Sequence, residues 1–190
     1  MPVFAAEELE QLTHALFQSA GGTREEAAIV SRHLVEANLA GHDSHGVLRI
    51  PQYLRAIQSG ELKVGANMTV VSDTPTTAIV DGGRGFGQMA GHQSMRLAIQ
   101  KAKQHGISAV ASRNSYHTGR IASYPLIAAA EQLVAIVMVN AGGRWTIGCS
   151  VWGIVQAPRH QPPRHRRAVG RRVSDPPGHR HQRRSRRQGA

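Results

Sequence analysis

Nine consecutive residues, Gly41-His42-Asp43-Ser44-His45-Gly46-Val47-Leu48-Arg49, place two imidazoles between two glycines and a guanidinium just past the second, where one helical pattern stops and another resumes. An imidazole titrates near neutral pH and can take or give a proton, while an arginine stays charged and offers a planar fork of N–H groups to a carboxylate or phosphate. Further on, Ser115-Tyr116-His117-Thr118-Gly119-Arg120 sets another histidine between a predicted strand and a predicted helix, a position from which α/β proteins display reactive groups. Any one of these histidines could simply cap a helix end. Two glycine-bracketed His/Arg segments in one chain instead suggest a site that grips a small anion and moves a proton. No metal is expected: beyond His42 and His45 no third ligand stands at helix or hairpin spacing.

The elements that must hold these segments can be read from periodicity. Leu9, Leu12, Leu16 and Phe17 mark a helix over 5–20 that stops at Gly21-Gly22. Thr23 and Glu26 form a capping box that opens a second helix, which ends at Gly41. Ile50 to Ile57 is helical again, with Pro51 tolerated in the first turn. From Met68 the pattern becomes β: 69–71 and 77–80 are short β-branched runs, and 107–110 and 134–139 are continuous apolar runs of the kind buried in a sheet interior. Helices are expected at about 87–104 and 119–131. The fold class is therefore α/β, a helical N-terminal arm plus a mixed sheet with flanking helices. Its segments are 1–62, helical and carrying the first motif; 63–148, α/β; and a basic tail, 149–190.

Gly82-Gly83-Arg84-Gly85-Phe86-Gly87-Gln88 follows a strand but does not space its glycines as G-x-G-x-x-G, and no acidic residue stands about 20 positions on. The stretch reads as a tight glycine turn into a helix and not as a Rossmann fingerprint.

The chain has 23 Lys and Arg, and 11 of them are arginines after residue 148, opposed only by Asp175. That tail carries +10, whereas the first 148 residues, with 12 Lys and Arg against 11 Asp and Glu, carry +1. Residues 149–190 hold no Leu, Phe, Tyr, Met, Lys or Glu, and should be disordered. An Arg-rich arm for nucleic acid or another polyanion is one reading, although interleaved aromatics and a binding module are missing. The genetic code offers a second. Cys149 to Ile154, back-translated as TGC TCC GTT TGG GGG ATC and read one base later, gives Ala-Pro-Phe-Gly-Gly, and the residues beyond permit Thr-Asn-Pro in the same shift. The flanking bases are largely fixed by the residues present, and only the wobble base is free. A change of reading frame near 146–149 is expected. One cysteine, Cys149, excludes a disulfide framework, and with no basic-then-apolar leader and no apolar run near ~20 residues a cytoplasmic protein without a membrane partner is expected.

Residues 3 to about 147 resemble the type 2 malate/L-lactate dehydrogenase family, which also contains ureidoglycolate, sulfolactate and cyclic imino acid oxidoreductases. The resemblance is carried by Ala37 through Tyr53, by the Ser-x-x-Ser-x-His-x-Gly segment ending at Gly119, and by Val139-Asn140-Ala141-Gly142-Gly143. The Ala-Pro-Phe-Gly-Gly and Thr-Asn-Pro strings of the shifted frame belong to the same family. It implies a non-Rossmann fold and the first part of a longer enzyme, a homodimer when intact, that moves hydride between NAD or NADP and C2 of a small 2-hydroxy or imino acid, giving the 2-oxo acid; the truncated chain itself is expected to be inactive. By the same resemblance His117 is the catalytic acid/base and Arg49 clamps the substrate carboxylate. His45 and Tyr53 line the substrate pocket, and Asn140 and Ala141 begin the cofactor-contacting strand end.

Overall fold

The computed structural model describes residues 4–140 and the backbone of 148–156, all within one compact unit. Helices α1 (Ala6–Ser19), α2 (Arg24–Leu39) and α3 (Ile50–Gln58) come first, with two 3-10 turns, Asp43–His45 and Val47–Arg49, between the last two. Then follow β1 (Thr69–Asp73), β2 (Thr77–Asp81), α4 (Gly87–His105), β3 (Ile107–Ser115), α5 (Ser123–Ala130), β4 (Leu133–Val139) and β5 (Gly148–Gln156). The strands form one sheet in the order β1-β2-β3-β5-β4. Only β2 and β3 run parallel, joined by α4, and the other neighbours are antiparallel. This is the expected α/β class with a helical arm and a mixed sheet.

The local signals act as their chemistry requires. The Thr23 hydroxyl accepts from the Glu26 N–H while the Glu26 carboxylate accepts from the Thr23 N–H, so two orphan donors at the start of α2 are satisfied. Glu26 does more than cap, since both of its oxygens also accept from the Gly65 N–H, tying the loop after α3 to α2. At the other end of α2, Gly41 (φ 73°) takes the left-handed turn and the His42 N–H closes back on the Ala37 carbonyl.

Two apolar clusters divide the molecule. In the arm, Phe17 meets Tyr53 and Phe86 edge-on, with ring centroids 5.9 and 5.7 Å away, and Val30, Leu34 and Leu62 close around them. Each such ring pair adds about 0.5–1.5 kcal/mol beyond the area it buries. In the body, Val80, Met95, Val110, Tyr124 and Ala128 pack between sheet and helices. Phe86 and Met89, at the start of α4, belong to the arm's cluster although α4 continues into the body. The site borders the arm's cluster, to which Tyr53 belongs and against which Tyr116 packs.

Three expectations need correction. The segment from Cys149 was expected to be unstructured, yet through Gln156 its backbone forms β5 between β3 and β4; Val151, Trp152, Ile154 and Val155 supply the β-formers that such a strand needs. The remainder of the tail, 157–190, lies outside the described residues. Val134–Val139 was read as an interior strand, but β4 is at the sheet edge, with Val134, Ile136 and Met138 exposed while Leu133, Ala135 and Val137 pack inward. The helix expected from 119 starts only at Ser123, because Gly119 is left-handed (φ 72°) and the Arg120 N–H is bonded to a side chain of α2. Among the described residues no helix is long and apolar enough to cross a membrane.

Candidate functional site

The first motif is folded by its own side chains. Asn38, near the end of α2, donates to the Asp43 carboxylate and accepts from the Val47 N–H at 2.8 Å, so one amide holds both 3-10 turns. A Cβ on Gly46 would lie 2.1 Å from that Asn38 oxygen, which is why the position is glycine. His42 is exposed and donates from Nδ1 to the Ala40 carbonyl at the helix end. His45 and Arg49 remain on the site side. The Arg49 Nε donates to the Ser44 carbonyl at 2.6 Å and one Nη to Gln52 Oε1 at 2.7 Å, and Gln52 in turn donates to the Tyr116 hydroxyl at 3.2 Å. A half-exposed guanidinium pinned by two of its five donors keeps the others for an anion.

The second motif is held against the first by close backbone approaches. Gly87 opens α4 directly behind residues 116 and 117, where a Cβ would stand 2.2 Å from the Tyr116 carbonyl oxygen and 2.5 Å from that of His117. Gly119 meets His33 on α2 in the same way, at 2.5 Å from Nε2. That nitrogen accepts the Arg120 N–H at 2.9 Å, and the ring lies 5.4 Å from that of Tyr124. Burial, with the charges around it, pushes His33 down to about 3, so it stays a neutral acceptor that fastens the loop.

His117 is the meeting point. Its ring stacks on His45, centroids 5.4 Å apart and 28° between planes, and its Nδ1 lies 2.7 Å from the Tyr53 hydroxyl. Tyr53 is fully buried, and its oxygen also accepts from the Gln88 amide at 2.6 Å. Burial first, then the Arg49 guanidinium and His45, push His117 down to about 4, so at neutral pH it is an uncharged base. His45 is lowered by burial and then by Arg49 and His42. Burial raises the Tyr53 phenol and keeps its proton in place. The arrangement provides a neutral imidazole, a second imidazole on its face and a guanidinium whose field reaches both.

Of the residues singled out from sequence, His45, Arg49, Tyr53 and His117 come together. Tyr53 differs from expectation in its role: with no exposed surface it cannot line a substrate pocket and instead touches the back of His117. Asn140 is exposed at the end of β4, and Ala141 lies outside the described residues. Asn38, Gln52 and Gln88 were not foreseen. Gln88 had a signal, since it directly follows the glycine turn at a helix start, but its amide could equally have faced solvent. The turn itself is packed on the protein's own chain: Cβ atoms at Gly82, Gly83, Gly85 and Gly87 would lie within 3.0 Å of Ser115, Asn67, Ala66 and Tyr116. It is not an open diphosphate cradle.

A profile of the malate/L-lactate dehydrogenase family matches residues 4–150. Hydroxycarboxylate dehydrogenase B of Escherichia coli (strain K12) is 43% identical over 140 residues, which are 74% of this chain and 39% of the relative. Among solved structures, malate dehydrogenase from Pyrococcus horikoshii OT3 superposes with a TM-score of 0.70 at 39% identity, covering 72% of this chain and 39% of that one. Sulfolactate dehydrogenase from Methanocaldococcus jannaschii gives 0.72 at 34% identity, covering 74% and 41%. The chain thus spans about two fifths of the length of the relatives it matches. On the motifs, the fold and these matches, it belongs to the malate/L-lactate dehydrogenase family.

Proposed function

We propose that residues 4–140 carry the acid-binding and proton-exchanging half of an oxidoreductase that interconverts a small 2-hydroxy acid and its 2-oxo acid, with NAD or NADP as hydride partner, in a cytoplasmic homodimer. The observation that supports it best is a neutral, half-buried His117 with its Nδ1 engaged by Tyr53 and a partly free arginine fork beside it. Relatives named for hydroxycarboxylate, malate and sulfolactate substrates support the acid class. Arg49 binds the carboxylate through its remaining N–H groups, and His45 packs on the His117 face and limits where the C2 oxygen can sit. His117 takes the hydroxyl proton on Nε2 during oxidation and returns it during reduction, its Nδ1–H then donating to Tyr53. The glycine turn at 82–87 is filled by the protein's own chain, so the roles assigned to Arg49, His45 and His117 concern only the carboxylate and the proton. Asn140 and Ala141 are proposed as this chain's cofactor contacts.

The activity is testable in a chimera in which residues 4–140 replace the matching stretch of the E. coli hydroxycarboxylate dehydrogenase B. It should oxidise 2-hydroxy acids with NAD or NADP, and Arg49→Ala should mainly raise the Michaelis constant, because a carboxylate clamp acts in the ground state as well as in the transition state. A folded chimera with no turnover, or Arg49→Ala without effect on the Michaelis constant, would overturn the reading.

A further inference from the structure

The proton on His117 can reside on either ring nitrogen, and the two forms do different things. With Nε2 protonated, the ring donates a hydrogen bond to the carbonyl oxygen of a bound 2-oxo acid, whose reduction then needs a further proton at Nδ1 so that the imidazolium gives up its Nε2 proton. With Nδ1 protonated, Nε2 presents a lone pair, as a 2-hydroxy acid requires. The choice rests with Tyr53. Its oxygen stands 2.7 Å from Nδ1 and 3.5 Å from the His117 carbonyl, so the single hydroxyl hydrogen has one good acceptor and one poor one. Gln88, with no exposed surface, donates to the same oxygen at 2.6 Å and occupies one of its lone pairs. A Tyr53 oxygen already accepting from Gln88 is best completed by donating to Nδ1.

We propose that Gln88 and Tyr53 are positioning residues that set the tautomer of His117 and that, without substrate, they hold it as the Nε2–H form, poised to meet a 2-oxo acid. Binding of a hydroxy acid then requires the Tyr53 hydroxyl to turn toward the His117 carbonyl, while Gln88 keeps the phenol oxygen in place and Nδ1–H donates to it. Its use in catalysis rests on the function proposed above, but the tautomer does not depend on turnover.

The test uses the full 190-residue chain labelled with 15N-histidine. At neutral pH, two-bond 1H–15N correlation spectra report which nitrogen of His117 bears hydrogen, with His117→Gln identifying the signal. The wild type should show Nε2–H with Nδ1 bare. Tyr53→Phe removes the donor to Nδ1, and Gln88→Met removes the donor to Tyr53 while keeping the volume. Each should shift the tautomer ratio toward Nδ1–H by on the order of fivefold. A wild-type His117 in the Nδ1–H form would overturn the proposal without any variant, because it would mean that the Gln88 amide faces the phenol with its oxygen. Folded Tyr53→Phe and Gln88→Met chains with unchanged ratios would overturn it too. Loss of activity in the chimera with the Nε2–H form present would count against the function alone.

Discussion

Replacing His117 with alanine in the chimera is expected to lower turnover by about 10²–10⁴-fold with little change in the Michaelis constant, because a proton in flight contributes in the transition state and not to ground-state binding. The pH profile carries the same signature. Burial, Arg49 and His45 hold His117 at about 4 in the free protein, so kcat/KM for oxidation of a hydroxy acid should be flat above that region and fall as acid converts the ring to imidazolium. His45→Gln keeps the bond between His117 and Tyr53 and should retain far more activity than His117→Ala. The reverse order, with His45→Gln the more damaging variant, would assign proton exchange to His45.

The second large effect belongs to a residue with no chemistry of its own. Gly87→Ala would put a methyl group 2.2 and 2.5 Å from two carbonyl oxygens and 2.6 Å from the His117 carbonyl carbon. These are backbone atoms with no flexible side chain to yield, so α4 must retreat from residues 116 and 117 or the loop must. We expect a stability loss of about 3 kcal/mol in urea denaturation, and displacement of His117 from Tyr53. Gly60→Ala is the control: its backbone is left-handed (φ 72°) but the space is open, so the cost should be about 1–2 kcal/mol and His117 should be undisturbed. A Gly87→Ala chain as stable as the parent, with unaltered His117 resonances, would show that the close approach does not position the site.

Much of the arm and sheet was legible in sequence because local rules and tertiary packing agree there. Thr23 and Glu26 cap α2 as written, Gly41 ends it, and the β-branched run at 77–80 pairs as expected. That the two His/Arg segments form one site was legible from residue type and from their positions between elements, whereas the choice of His45 over His42 came from the family resemblance. The failures have a common cause, which is that a side chain's partner can lie far along the chain. Tyr53 reads from sequence as a pocket residue, and only the 64-residue span to His117 turns it into a buried support. Gln88 reaches Tyr53 across 35 residues and His33 reaches Arg120 across 87, and neither link leaves a local pattern. Strand order is equally non-local: the apolar run of β4 is what an interior strand would show, and its edge position follows only from β5 inserting beside β3. Composition likewise misread residues 149–156, because a short β-branched run was averaged into an Arg-rich segment.

We propose that this chain by itself contains the site for the acid. This is tested most directly by titrating the 15N-histidine-labelled 190-residue protein with L-malate, L-lactate and pyruvate, while following the imidazole resonances. Saturable shifts are expected at His45 and His117, with none at exposed His105, and they should be lost in Arg49→Ala. Resonances of His45 and His117 that stay still at saturating acid, or that shift equally without Arg49, would contradict it.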